Sequence, residues 1–240
     1  MKLIGSFAFA VLLFLGIAAQ PSVGIGKTSG NSASEAATLS KAAFEAHGGA
    51  KLKTIKTLVI RGGVDVTVQT QALPGGFSTV ISGDKYILDI QTPFQSLKQT
   101  FDGTNTVSSI NGITLPPVTS LGFPLLPRMG DAGFVVGSLP EEKKKKGKGF
   151  RLTAPDGFYT DFYIDEKTSL IKSYESAYEM NGRKFTTSID VDKFRIVDGI
   201  TIPEKYSQRF DLGQLTAYAN FKAKEILINS PIDDAVFGGN

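Results

Sequence analysis

The side chains that could do chemistry in this chain are few and far apart. It has one histidine, His47, and no cysteine. Cysteine–histidine catalysis and histidine-rich metal sites are thereby excluded, because each needs several such groups within reach of one another. Carboxylate pairs remain: Asp190 with Asp192, and Glu175 with Glu179. Paired acids do acid–base work only in a cleft that shifts one of them away from its ordinary pKa. These pairs sit on the polar side of an alternating pattern, which reads as solvated surface. Asp233-Asp234 reads as a turn or the start of a short helix. Gly24-Ile25-Gly26-Lys27-Thr28 imitates the end of a phosphate-binding loop, but Pro21 stands where the first glycine belongs and no strand precedes it. No catalytic residue, metal or cofactor is expected, and the chain reads as a non-enzyme.

Five lysines, Lys143, Lys144, Lys145, Lys146 and Lys148, follow Glu141-Glu142 and are interrupted by Gly147. The formal net charge is +3, and without this cluster the chain is about neutral. Nucleic-acid binding, which needs a basic face interleaved with aromatic groups, is not expected. Two readings of the cluster stand. One is a solvated hairpin loop. The other is membrane docking, since each lysine near an anionic surface contributes about 1 kcal/mol.

Any site must be positioned by strands. Residues 150–229 alternate with period two and break at Asp156-Gly157, Asn181-Gly182, Asp198-Gly199 and Leu212-Gly213. Phe158, Phe162 and Ile164 fall on one face, Tyr159, Asp161, Tyr163 and Asp165 on the other. Turns this short permit antiparallel neighbours only, because a parallel pair needs a crossover of about a dozen residues or more. Upstream, Leu58 to Gln69 is a strand with a bulge expected at Gly62-Gly63. Phe77–Ile81 with Lys85–Ile90, and Leu97–Phe101 with Asn105–Ile110, form two hairpins. Ser34 to His47 reads as a helix capped by Ser34 and stopped by Gly48-Gly49. Leu39, Ala43 and Ala46 share one face of it, and His47 in its last turn suits the helix dipole as a partial positive charge.

Residues 1–19 carry one early charge, Lys2, and then an apolar run ending in Ala18-Ala19, the pattern of a secretory signal. A retained N-terminal anchor is the other reading of the same run. Residues 20–33 read as a flexible linker, and residues 34–237 as one β-rich domain. Export to the periplasm follows. Without cysteine, stability must come from the core and the sheet.

Residues 113–139 break the alternation. Pro116, Pro117, Pro124 and Pro127 preclude a long helix or a central strand, yet Leu121, Phe123, Leu125, Leu126 and Phe134 are apolar. The segment is either a loop packed over the core or a lid over an apolar cleft. In the second case the cleft draws on Leu58, Ile60, Tyr86, Leu88 and Phe101 from the first strands, and on Phe158, Phe162, Phe185, Ile189 and Phe221 from the later ones. In the first case the same side chains meet in a dry core.

Four stretches stand out together: Ala46-x-Gly48-Gly49 with Leu52 and Ile55, Tyr163-Ile164-Asp165 with Leu170-Ile171, Phe194-Arg195-x-Val197-Asp198-Gly199-Ile200-x-Ile202-Pro203, and Asn229-x-x-Ile232 with Phe237. The set resembles the periplasmic lipoprotein-carrier (LolA/LolB-like) superfamily. The resemblance implies a mainly β fold: a strongly curved antiparallel sheet forming an open half-barrel, with helices over its concave face. It also implies binding of acyl chains, from a lipid or an acylated protein, under a mobile lid. The carriers proper latch that lid with a strand-borne arginine beside a proline. Here the stretch reads Gly83-Asp84-Lys85-Tyr86, with Lys85 as the candidate substitute, so only the fold and the apolar-ligand class carry over. An envelope interaction or sensor module on the same scaffold is the alternative function. A small outer-membrane barrel is a third, opposed by the helix and the proline-rich segment.

Overall fold

The structure, a computed structural model, describes residues 28–68, 71–93, 96–109, 117–180, 183–211 and 216–238. The segment 1–19 lies outside them, as do the turns expected at Asn111-Gly112, Asn181-Gly182 and Leu212-Gly213. Among the described residues, no helix is long and apolar enough to cross a membrane.

The early strands are β1 (Thr57–Val68), β2 (Gln71–Ser82), β3 (Lys85–Gln91), β4 (Ser96–Phe101) and β5 (Thr106–Ser108). The later ones are β6 (Val135–Ser138), β7 (Gly149–Thr153), β8 (Tyr159–Ile164), β9 (Ile171–Met180), β10 (Arg183–Val197), β11 (Ile200–Asp211) and β12 (Thr216–Ile228). They form one sheet in the order β5-β4-β3-β2-β1-β12-β11-β10-β9-β8-β7-β6. Every pairing is antiparallel. Two meanders are thus fused where β1 meets β12, Leu58 opposite Ile228 and Val64 opposite Phe221. The ends β5 and β6 do not pair, and the sheet stays an open half-barrel.

The expected bulge in β1 is a register shift between Arg61 and Gly62. A Cβ on Gly62 would come 2.0 Å from the Lys222 carbonyl oxygen, so the two backbones approach as only glycine permits. β2 begins at Gln71, well before the expected Phe77, and runs through Pro74. Proline is tolerated there because β3 pairs only with Gly76 and beyond, leaving Pro74 on an edge. Pro203 lies inside β11, but the pairing with β12 begins at Lys205, so it too occupies an unpaired side.

Helix α1 runs from Thr28 to Ala46, starting before Ser34. Its buried stripe is Ala36, Ser40 and Ala43, continued by His47, with Leu39 and Ala46 half-buried beside it. It packs on β6 and β7 over the concave face. The charged reading of His47 is corrected: its ring is wholly buried, and burial lowers its pKa against a hydrogen bond to the Thr201 carbonyl that raises it. It therefore serves as a neutral core residue.

The stretches that carry the resemblance tie to one another near the end of α1 and the segment after it. The Thr201 amide donates to the His47 carbonyl at 3.1 Å, and Lys51 Nζ donates to the Asp198 carbonyl at 3.2 Å. Asp198 and Gly199 both take positive φ in the β10–β11 turn, as a two-residue hairpin of this type requires. At the end of β12, Asn229 Oδ1 accepts the Lys56 amide at 2.7 Å. These motifs are structural ties between chain segments.

Residues 117–134 belong to the connection from β5 to β6, the two opposite margins of the sheet, and this explains their composition. A chain crossing the hollow of a half-barrel must be apolar where it touches the sheet and irregular where it cannot pair. Its centre is a 3₁₀ helix, Phe123–Arg128, in which Leu125 and Leu126 are wholly buried. The end of the stretch 113–139, expected to be irregular, is the margin strand β6.

Candidate functional site

Between this connection and the concave face lies a cavity of about 140 Å³. Seven of the sequence-derived candidates line it: Leu58, Ile60, Leu88, Leu121, Phe123, Ile189 and Phe221. The period-two rule places others there that had not been singled out. Ile90 follows Leu88 on the same face of β3, Thr187 precedes Ile189 on β10, and Ile81 faces Tyr86 across the β2–β3 pair. Tyr206 stacks on Phe221 with ring centroids 4.8 Å apart. Tyr174 and Tyr206 are raised in pKa above ordinary tyrosine, chiefly by burial.

The other candidates stand elsewhere. Tyr86 shares a face with Leu88 but is covered by β4, where Phe101 lies 5.8 Å from its ring and Gln99 Nε2 donates to its hydroxyl at 2.6 Å. Phe162 is walled in by Phe150 and Tyr174, at 5.2 and 5.7 Å. Phe158 and Phe185 flank Tyr178, with Phe185 stacked at 5.4 Å. Burial pushes the Tyr178 hydroxyl up to about 12. Leu125 and Leu126 fill the core below the 3₁₀ helix, and Phe134 lies under the Arg128 guanidinium at 4.9 Å. Alternation gave the correct face for these residues, but not which face-mates are capped by a neighbouring strand.

The cavity's cover is fastened at two places. On the inner side the Gly122 amide donates to Thr160 Oγ1 at 2.9 Å, and Thr160 Oγ1 in turn meets Ser176 Oγ at 2.8 Å. The Phe123 backbone hydrogen-bonds the Tyr174 hydroxyl. Gly122 has φ 72°, and a Cβ there would sit 2.7 Å from Tyr174 Cε2, so glycine is required. On the outer side Arg128 Nη1 reaches Asp84 Oδ1 at 2.8 Å and its Nε reaches Asp131 Oδ2 at 3.0 Å. Lys53 holds the other oxygen of Asp131 at 2.8 Å. The anticipated substitute, Lys85, pairs instead with Asp234 at 3.0 Å. The cation that fastens the cover is on the cover itself, and the strand turn supplies the acid.

The convex face holds the charged groups. Asp190, Asp192 and Glu179 are exposed, as expected. Glu175 is half-buried and ion-paired with both Lys143 and Lys146. Burial works against its ionisation, but the two lysines hold its carboxyl below the ordinary range. The lysines emanate from α2 (Glu141–Lys144) and the turn after it. Lys144 pairs with Glu141 and Lys148 with Glu166, so among the described residues only Lys145 of the five carries no ion pair. Beneath them the buried Asp161 binds Arg151 in a fork, Nε–Oδ1 2.6 Å and Nη2–Oδ2 2.9 Å. Among the described residues no cluster of three or more acids and histidines could hold a metal.

No family model matches the chain, and no curated protein matches its sequence. Solved structures do match its backbone. A LolA superfamily protein from Nitrosomonas europaea aligns over 85% of this chain and 97% of its own, with a TM-score of 0.51 and 10% identity. A DUF1329 family protein from Desulfovibrio piger aligns over the same shares, with the same TM-score and identity. This chain thus shares its backbone fold, an open antiparallel half-barrel, with a LolA superfamily protein.

Proposed function

We propose that the chain is an exported, periplasmic carrier that binds a lipid or an acylated polypeptide by inserting acyl chain beneath the segment 117–124, without covalent chemistry. The observation that carries this reading is the cavity between that segment and the sheet, lined by apolar side chains and closed by a cover with few ties. Its volume, about 140 Å³, compares with an apolar cavity of ~150 Å³ that stays dry and accepts benzene. With the cover in place it takes a short stretch of chain. Each further buried methylene stabilises the complex by about 0.8 kcal/mol, so a longer chain offsets release of the cover's two hydrogen bonds and of its buried Leu121 and Phe123.

The test is native mass spectrometry of the mature protein released from its own cells by osmotic shock, without detergent. A bound species whose mass fits a lipid or acylated peptide is expected. A protein that is always empty, and that takes up no fluorescent fatty probe after purification, would move the reading to the interaction or sensor module.

A further inference from the structure

The composition of the cavity wall bears on what kind of ligand end it accepts, an inference that rests on the carrier reading above. Among the described residues, no Asp, Glu, Lys, Arg or His lines the cavity. An ionised carboxylate or phosphate drawn inside would lose its water without gaining a counter-charge, which is strongly unfavourable. The nearest cation along β11 is Arg209, and it points away: strand alternation sends it to the opposite face from Gln208, where it binds Asp211 at 3.0 Å.

The wall is nonetheless not wholly apolar. Ser176 and Thr187 are directly opposed across β9 and β10, and Gln208 lies beside them on β11, all three on the lining. The Thr187 hydroxyl proton is committed, because Oγ1 donates to the Arg209 carbonyl at 3.0 Å, and the same oxygen accepts Gln208 Nε2 at 2.9 Å. Gln208 keeps its Oε1 and its second amide hydrogen without a partner among the described residues. Ser176 Oγ has one contact, with Thr160. The result is a neutral patch, able both to donate and to accept, at one end of an oily cavity.

We propose that the cavity selects an apolar chain ending in an uncharged hydrogen-bonding group, an alcohol, ester or amide, over the same chain ending in an anion. Gln208 is the residue that reads this end, offering an acceptor to a hydroxyl or amide hydrogen and a donor to a carbonyl. Chain burial supplies affinity and the patch supplies selectivity, since leaving Gln208 desolvated and unpaired penalises a ligand with no polar end.

The experiment is competition against a fluorescent fatty probe on the mature protein at pH 8, using hexadecane, hexadecan-1-ol, methyl hexadecanoate and hexadecanoic acid. The alcohol and the ester are expected to bind at least tenfold tighter than the acid. Gln208→Leu, which keeps the volume, should reduce the alcohol's lead over hexadecane at least threefold, with hexadecane binding tighter than it does to the parent. An acid that competes as well as the alcohol, or a Gln208→Leu protein with unchanged preference, would overturn the inference and leave the carrier reading standing. Failure of every chain to bind would overturn both.

Discussion

His47 Nδ1 lies 2.6 Å from the carbonyl oxygen of Thr201, and its Nε2 accepts the Ile171 amide at 3.0 Å. The first contact needs a proton on Nδ1 and the second needs none on Nε2, so the geometry demands the neutral ring. Phe123 of the cover and Phe194 of β10 meet the same imidazole edge-on at 5.2 and 5.5 Å. One side chain thereby ties the end of α1, β9, β11 and the cover together.

The pH dependence follows from the direction of its shift. The folded-state pKa is lowered, chiefly by burial, from an unfolded value of 6.5, so below that value the unfolded chain binds more protons. The stability His47 provides is complete above about pH 6.5 and is lost as pH falls, by at most about 1.4 kcal/mol per unit. Urea unfolding at pH 7.5 and 5.5 should show this loss. His47→Gln should be less stable at pH 7.5 and flatter over that interval. An equally steep decline in the variant would assign the effect to other groups.

Gly122→Ala forces a Cβ against Tyr174 at a residue with positive φ. Strain of this kind costs roughly 1–3 kcal/mol. A lowered melting temperature is expected, with faster amide exchange confined to the cover and the strands it touches. A melting temperature within error of the parent would mean that the cover is not seated on Tyr174.

Arg128 and Asp84 are both solvent-exposed, and exposed pairs contribute roughly 0.2–1 kcal/mol. A double-mutant cycle with Arg128→Gln and Asp84→Asn should therefore return a small coupling. Release of the outer tie should show instead in rates, with a fatty probe entering and leaving several-fold faster. Unchanged probe kinetics would remove these residues from the control of access.

Asp161 is almost fully buried, 1% exposed, and its fork to Arg151 is a different case. Asp161→Asn leaves the half-buried Arg151 guanidinium without its counter-charge, which costs about 1.5–3 kcal/mol. Replacing both residues with apolar ones of similar size should recover much of that loss. If Asp161→Asn unfolds at the parent's urea midpoint, the ion pair has no structural weight.

Docking of the lysine cluster to membranes remains a proposal, narrowed by the ion pairs that engage Lys143, Lys144, Lys146 and Lys148. Changing all five lysines to glutamine should weaken binding to anionic vesicles at low salt, with a smaller effect at 0.5 M salt where charges are screened. Identical binding of parent and variant would end the docking reading.

The local architecture was legible in the sequence because it depends on neighbours along the chain. Alternation fixed which face of β8 carries Phe162 and which carries Asp161. Gly62-Gly63 marked the bulge, and Asp198-Gly199 marked the turn. The residue inventory limited the chemistry, since one histidine cannot build a centre that needs several. Contacts between segments distant in sequence were decided only by the tertiary structure. Nothing local tells Leu58 that it will face Ile228, or reveals that residues 117–134 lie between one margin of the sheet and the other. Tyr86 and Leu88 look alike in the alternation, yet one is covered by Phe101 and the other opens on the cavity. Arg128 reads as an ordinary surface arginine until the fold brings Asp84 beside it, because an ion pair depends on separation in space and the sequence records only separation along the chain.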